Sequence, residues 1–249
     1  LFIGDITIES GTLDFNDQYG EIINRLSISS TDSKTVDFGT SDLHLESYYY
    51  TTSGLTLDAS EATIYLDGNN SRFRANPTSD ITYNKVIIDG KTVFDFYDHT
   101  IDTLEVRPGS WLSIAGGDTL FLNSFKAEGT LADSITIKSA DPGVQAVIKI
   151  ESGTVEGSYL KISDNVATGG ATFSAFESKN EGNVSGWDFM EDTTAPEFIS
   201  GYPELDSLEG TIAYYNLKTN EPAYVYYVVL AEGATQPSAA QIILGTDAS

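Results

Sequence analysis

The chain has 249 residues, of which 40 % are hydrophobic, and its 37 acidic and 13 basic residues give a net charge of −24. Such a surface repels duplex nucleic acid and anionic membranes, so we expect neither nucleic-acid binding nor membrane insertion, whereas cations such as calcium are attracted. The absence of cysteine excludes disulfides, thiolate metal sites and cysteine nucleophiles.

Short alternating runs follow one another through the first two thirds of the chain. Each places two or three apolar residues on one face at a period of two, which predicts β-strands, and most runs end in residues that favour turns. The chain is therefore predicted to be all-β. The runs are ITIES (6–10), TLDF (12–15), RLSIS (25–29), DLHLES (42–47), GLTLDAS (54–60), ATIYLDG (62–68), NKVIIDG (84–90), DTLEV (102–106), SWLSIAGG (110–117), DTLFLNS (118–124), DSITIKS (133–139), AVIKIES (146–152) and SYLKIS (158–163).

These strand-turn units recur roughly every 10 to 25 residues without a fixed hairpin spacing, which is typical of a solenoid. We predict a parallel β-helix over residues 1–190, with roughly eight coils and a length of roughly 40 Å. The alternative is a β-sandwich or jelly roll, which requires regular hairpins. The predicted inward ladder is Leu26, Ile28, Leu43, Leu45, Leu55, Leu57, Ile64, Leu66, Val86, Ile88, Leu104, Val106, Leu112, Ile114, Leu120, Leu122, Ile135, Ile137, Ile148, Ile150, Leu160 and Ile162. The ladder does not explain the tyrosine run at 48–50.

The densest group of candidate catalytic residues is in FDFYDHT, where Asp95, Asp98 and His99 lie close in sequence. Glycosidases need paired carboxylates on one face, but a straight strand would point these two aspartates to opposite faces. Arg72 and Arg74 share a face and are candidates to contact an acidic sugar. The alternative, which we favour, is a solvated loop without catalytic function.

Residues 165–190 are predicted to close the end of the helix, because an open end exposes unpaired backbone groups and an apolar stack. Phe173, Phe176, Trp187 and Phe189 supply apolar area, and the glycines of this stretch allow a tight backbone path. A ligand-holding loop is the alternative interpretation.

Two segments, SWLSIAGGDTLFLNSFKAEGTLADSITIKSADPG and SYLKISDNVATGGATFSAFESKNEGNVSGWDF, resemble the last coils of right-handed parallel β-helix regions in large secreted or surface proteins of Bacteroidetes-type bacteria. The resemblance covers residues 100 to 190 and implies an architecture more than an activity. It also implies an extracellular, adhesin-like context. Because the sequence begins directly in a strand, we interpret it as a piece of a longer polypeptide.

Residues 191–196 form a predicted linker, and residues 197–249 resemble the start of a fibronectin type III-like or immunoglobulin-like module. TIAYYNLKT (211–219) and AYVYYVVL (223–230) are predicted strands, and the second is apolar enough to be buried on both sides. A full sandwich needs close to 100 residues. The module is therefore expected to be completed by further domains of the same polypeptide or by neighbouring subunits.

Two kinds of modification or ligand site are also indicated. Calcium is expected, if anywhere, at Asp188, Glu191 and Asp192 beside the linker, with solvated charge as the alternative. A recurring Asp-Ser/Thr motif resembles the O-glycosylation sequon of Bacteroidetes exported proteins, and Asx turns that start strands explain it equally well. The candidate acceptors are Thr103, Thr119, Ser134, Thr193 and Ser207.

These observations predict a structural or adhesive segment of a large exported surface protein, a non-catalytic spacer located outside the cell that contacts a glycan or another cell-surface ligand. The alternative is a β-helix that binds or cleaves polysaccharide, as a lyase or a hydrolase. A groove lined by acids, bases and aromatic residues along one face of the solenoid would favour the alternative.

Overall fold

The computed structural model describes residues 4–15, 19–50, 53–75, 81–95, 97–191, 195–210, 212–221 and 223–244. The chain divides into two compact units, residues 1–192 and residues 193–249. No helix in the described ranges is long and apolar enough to cross a bilayer.

The first unit is a parallel β-helix of about eight turns, as predicted. Every strand pair in this unit is parallel. Its strands are β1 (Ile6–Ile8), β2 (Gly11–Asp14), β3 (Tyr19–Ile28), β4 (Lys34–Asp37), β5 (Asp42–Tyr50), β6 (Leu55–Asp58), β7 (Thr63–Leu66), β8 (Ser71–Ala75), β9 (Thr82–Ile88), β10 (Lys91–Phe94), β11 (His99–Val106), β12 (Trp111–Ile114), β13 (Thr119–Ala127), β14 (Ile135–Ser139), β15 (Ala146–Ile150), β16 (Thr154–Ser158), β17 (Leu160–Gly169), β18 (Thr172–Phe176), β19 (Lys179–Ser185) and β20 (Asp188–Met190).

The strands stack in three rows, because several long strands turn a corner and contribute to two rows. The first row contains β7 and the second halves of β9, β11 and β13. The second row runs from β1 through the second halves of β3 and β5 to β8, β10, β12, β14, the start of β17 and β19. The third row begins with β2, β4 and β6 and later contains β15 and the end of β17.

The predicted inward ladder forms the core. All but two of its members are buried, and Leu55 and Leu57 at the edge of the third row are only partly buried. Leu122 pairs in register with Ile150 of the next coil, and Ile137 lies between residues of the coils on either side. Stacking of like residues removes a continuous apolar column from water, which is the main stabilising contribution in a solenoid.

The tyrosine run belongs to this core as well. Tyr48 and Tyr50 alternate inward on β5, and Tyr48 packs against Phe73 and Tyr83 with ring centroids 5.1 and 5.8 Å apart. The Tyr83 hydroxyl donates to the Tyr48 oxygen at 3.2 Å, so the buried polar ends satisfy each other. Phe94 continues the aromatic stack. The middle of the helix therefore has an aromatic core.

Residues 172–190 continue the coil stacking and form the last strands of the first unit. The β16-β18-β20 sheet extends one face of the solenoid, and β19 pairs with β17. Phe173 and Trp187 are buried, and the Trp187 Nε1–H donates to the Asn165 Oδ1 at 2.9 Å. Phe176, by contrast, is 39 % exposed, because its position on β18 points away from the core.

The second unit contains a short antiparallel hairpin, β21 (Glu204–Glu209) with β22 (Ile212–Asn216), and one helical turn, α1 (Ala239–Leu244). The strand predicted at 211–219 is present in part, as β22 over 212–216. The strand predicted at 223–230 is absent from the described residues: this segment has no strand assignment, and Val229 is 86 % exposed. A strand of that apolar composition requires neighbours on both sides, and the described part of this unit gives it none.

Candidate ligand-binding face

The outer surface of the second row carries an aromatic ring held between two cations. Trp111 begins β12 with its side chain on the outside, because Leu112 and Ile114 point inward. The Lys91 ammonium lies 4.3 Å from the centroid of the indole ring, and the Lys138 ammonium lies 4.7 Å from it. Cation–π contacts of this kind hold the ammonium groups in place without neutralising their charge.

The register extends this site into a straight line of side chains parallel to the solenoid axis. Each member is paired in register with the next across adjacent strands, at about 4.8 Å per step. We call this set, with Lys138 beside it, the cationic column. Its members in register are Lys91, Trp111, Thr136, Lys161 and Lys179.

A second aromatic-cation site lies earlier on the same face. Tyr49 has the Arg25 guanidinium 4.8 Å from its ring centroid and the Arg74 guanidinium 5.4 Å from it. Arg74 and Arg72 both bond the Asp95 carboxylate, at 3.0 and 2.6 Å. The two arginines therefore share a face, as predicted, and one carboxylate serves both of them.

Next to this site is a groove of about 530 Å³. Its charged lining consists of Arg72, Asp95, Asp118 and Asp141. Burial raises the pKa of Asp118, and the nearby carboxylates of Asp98, Asp141 and Asp95 raise it further. A raised carboxyl pKa is a property of general acids.

The three candidate catalytic residues do not meet in this groove. Asp95 is buried and bonded to its two arginines, whereas Asp98 is exposed and accepts a hydrogen bond from the Thr119 amide at 2.6 Å. His99 begins β11 and points into the core, 3 % exposed, against the rings of Phe73 and Phe94. The solvated-loop interpretation is therefore wrong for Asp95 and His99, because Asp95 is buried and His99 faces inward alongside Ile101.

The burial of His99 predicts acid sensitivity. Burial lowers the pKa of His99 from 6.5 to about 4, partly opposed by the Asp95 charge. Between these values the unfolded chain binds a proton that the folded chain excludes, so stability falls as pH drops from 6.5 to 4, by about 3 kcal/mol at most. We expect His99→Phe to lose less stability than the parent over this range in thermal melts.

The other histidine provides the control. His44 points outward, as predicted, stacked on Tyr65 with 4.2 Å between centroids and 3.0 Å from an Asp67 oxygen. A His44→Gln variant should keep the acid sensitivity of the parent. If His99→Phe and the parent lose stability equally between pH 6.5 and 4, His99 is not the responsible group.

The remaining predicted site residues are dispersed. Asp188 and Glu191 are exposed, Asp192 lies outside the described residues, and no group of three or more metal-binding side chains occurs within the described ranges. Of the candidate glycosylation sites, Thr193 also lies outside the described residues. The other four are partly exposed: Thr103, Thr119, Ser134 and Ser207.

Comparisons with protein-family models, with curated proteins and with solved structures found no match to this chain. Functional inference therefore depends on the geometry of the molecule itself. Sequence reasoning noted Arg72 and Arg74 but missed the cationic column, although all of its in-register members except Lys179 stand one position before a buried residue of the second row.

Proposed function

We propose that this chain is a structural and adhesive segment of a large exported surface protein of the Bacteroidetes type. The parallel β-helix serves as a non-catalytic spacer, and its outer faces contact a glycan or another ligand at the cell surface. The unit at 193–249 is the start of an immunoglobulin-like or fibronectin type III-like module that connects the helix to further domains or to neighbouring subunits.

The observation that supports this role most strongly is the use of the polar residues of the helix to hold coils together. Asp95 fixes two arginines of the neighbouring coil, and Asn165 bonds both Ala146 and Trp187. The candidate catalytic histidine packs among aromatic rings. Groups committed to such contacts stabilise the stack and are poorly placed to exchange protons with a substrate.

The proposed location and the proposed lack of activity are tested separately. Antibodies raised against the chain should label intact cells of the producing organism without permeabilisation. Labelling that requires permeabilisation would contradict the surface location.

Incubation with acidic and neutral polysaccharides, followed through reducing ends and unsaturated uronates, should give no turnover. Robust turnover would favour the lyase or hydrolase alternative, with the groove beside Asp118 as its first candidate centre.

A further inference from the structure

We infer that the cationic column binds an anionic polysaccharide chain lying along the solenoid axis, through carboxylates of uronate units. This inference rests on the proposed role of the helix as an adhesive surface segment and names the class of ligand that it would hold. Most of its lysines lack a carboxylate partner among the described residues, the column is straight, and its charges are widely spaced.

Three of the four column lysines differ in their pairing from the other lysines on the outside of the helix. Outside the column, the outer lysine ammonium groups lie within 4.0 Å of a carboxylate: Lys85 with Glu105, Lys126 with Glu128, and Lys149 with Glu151. Lys34 is buried and donates to backbone carbonyls instead. By contrast, no carboxylate of the described residues lies within that distance of the column lysines Lys91, Lys138 and Lys161.

This contrast is informative because the chain has 37 acidic residues and only 13 basic ones. With acids in such excess, a cation on the surface is expected to have a carboxylate neighbour, as those on the other rows do. Three lysines without one on a single face leave a local positive strip on a protein of net charge −24. Such a strip attracts an anion from outside the molecule.

The column is also straight and preorganised. Its members occupy consecutive register positions on β10, β12, β14, β17 and β19, so that four steps of about 4.8 Å give roughly 19 Å. Lys91 and Lys138 are held over the Trp111 ring, which reduces the side-chain entropy lost on binding. Lys179 closes the column and is itself paired with Glu181 at 3.2 Å.

The spacing of charge favours a polysaccharide over a nucleic acid. Duplex DNA carries one charge per about 1.7 Å of axis and would meet the acidic remainder of the surface at close range. The column offers its lysines at intervals of one to three coils, which suits a polymer whose anionic groups are separated by whole sugar rings. Trp111 and Thr136 between the lysines supply an apolar ring and a hydroxyl that suit a sugar.

The test compares two triple variants of equal charge. Lys91→Gln, Lys138→Gln and Lys161→Gln together remove the unpaired column lysines. The matched control, Lys85→Gln, Lys126→Gln and Lys149→Gln, removes three paired lysines from the other rows, so both proteins have the same net charge. Affinity electrophoresis through gels containing alginate, dextran sulfate or neutral dextran measures Kd, with single-stranded oligothymidylate and sedimentation of the protein alone as further arms.

We expect the parent to bind alginate. The column variant should bind it about tenfold more weakly, because three exposed ionic contacts are lost. The Kd of the control variant should stay within about twofold of the parent's. Neutral dextran should not bind. Equal weakening of both variants, or no binding of alginate by the parent, would overturn the inference. So would preferential binding of dextran sulfate or oligothymidylate, or self-association that depends on the column lysines.

These results separate the inference from the proposed function. Turnover of alginate by the parent would contradict the non-catalytic role while leaving the column as its binding surface. Surface labelling of cells combined with no alginate binding would leave the spacer role standing and remove the column as a glycan site.

Discussion

Replacing Ile137 by Asp is expected to destabilise the first unit by about 4 kcal/mol or more, since it buries a charge in an apolar stack. Ile137 is fully buried on β14 and lies in register between Leu112 and Ile162 of the adjacent coils. For a unit of this size we expect a fall of roughly 10 °C in Tm, followed by circular dichroism.

The preceding residue of the same strand provides the control. Thr136 points outward between Trp111 and Lys161, so Thr136→Asp adds the same charge on the solvent side and should change stability by about 0.5 kcal/mol or less. An Ile137→Asp protein that melts within two degrees of the parent would show that this position is not part of the ladder.

Replacing Gly186 by Ala is expected to cost about 3 kcal/mol or more and to release Trp187 from the core. Gly186 has a φ of 78°, and a Cβ at this position would overlap the carbonyl oxygen of Ala167 in the preceding coil. The two coils would have to separate, which breaks the contact of Trp187 with Phe173, 5.2 Å between centroids. A red shift of tryptophan fluorescence and a lowered Tm would report this.

Substitution of a second glycine distinguishes the cost of backbone strain from the cost of the steric overlap at Gly186. Gly143 has a similar φ of 85°, but a Cβ there would have nothing within 4 Å. Gly143→Ala should therefore cost only the strain of the left-handed conformation, about 1 kcal/mol. If the two substitutions lower the free energy of unfolding equally, the close approach of the coils at Gly186 does not contribute to the loss of stability.

The fold was predictable because the solenoid requires only a local signal. Alternation at period two identified the inward faces, and 20 of the predicted ladder residues are buried. The aromatic part of the core was missed, because Tyr48, Phe73 and Phe94 do not fit a pattern of recurring Leu and Ile pairs. Their alternation was nevertheless visible: Tyr48 and Tyr50 flank an outward residue, as Leu43 and Leu45 do.

The candidate site was not predictable in the same way, because it depends on which strands are neighbours. Lys91 and Trp111 are brought together by register, and the coil between Trp111 and Thr136 contains an irregular loop at 128–134 that conceals the repeat. Alternation assigns a side to each residue but does not fix the register between coils. The same limit applies to 223–230, where a strongly strand-forming sequence does not identify its partner strands.

Register pairs in the first unit connect residues of adjacent coils only. Duplicating one coil of roughly 20 to 25 residues in the gene would therefore leave the contacts at both ends unchanged, since each coil needs only its two neighbours. The same event would lengthen the helix by about 4.8 Å and add one position to the cationic column. The length of the helix and the number of positions in the column are thus coupled, and both change together when a whole coil is gained or lost.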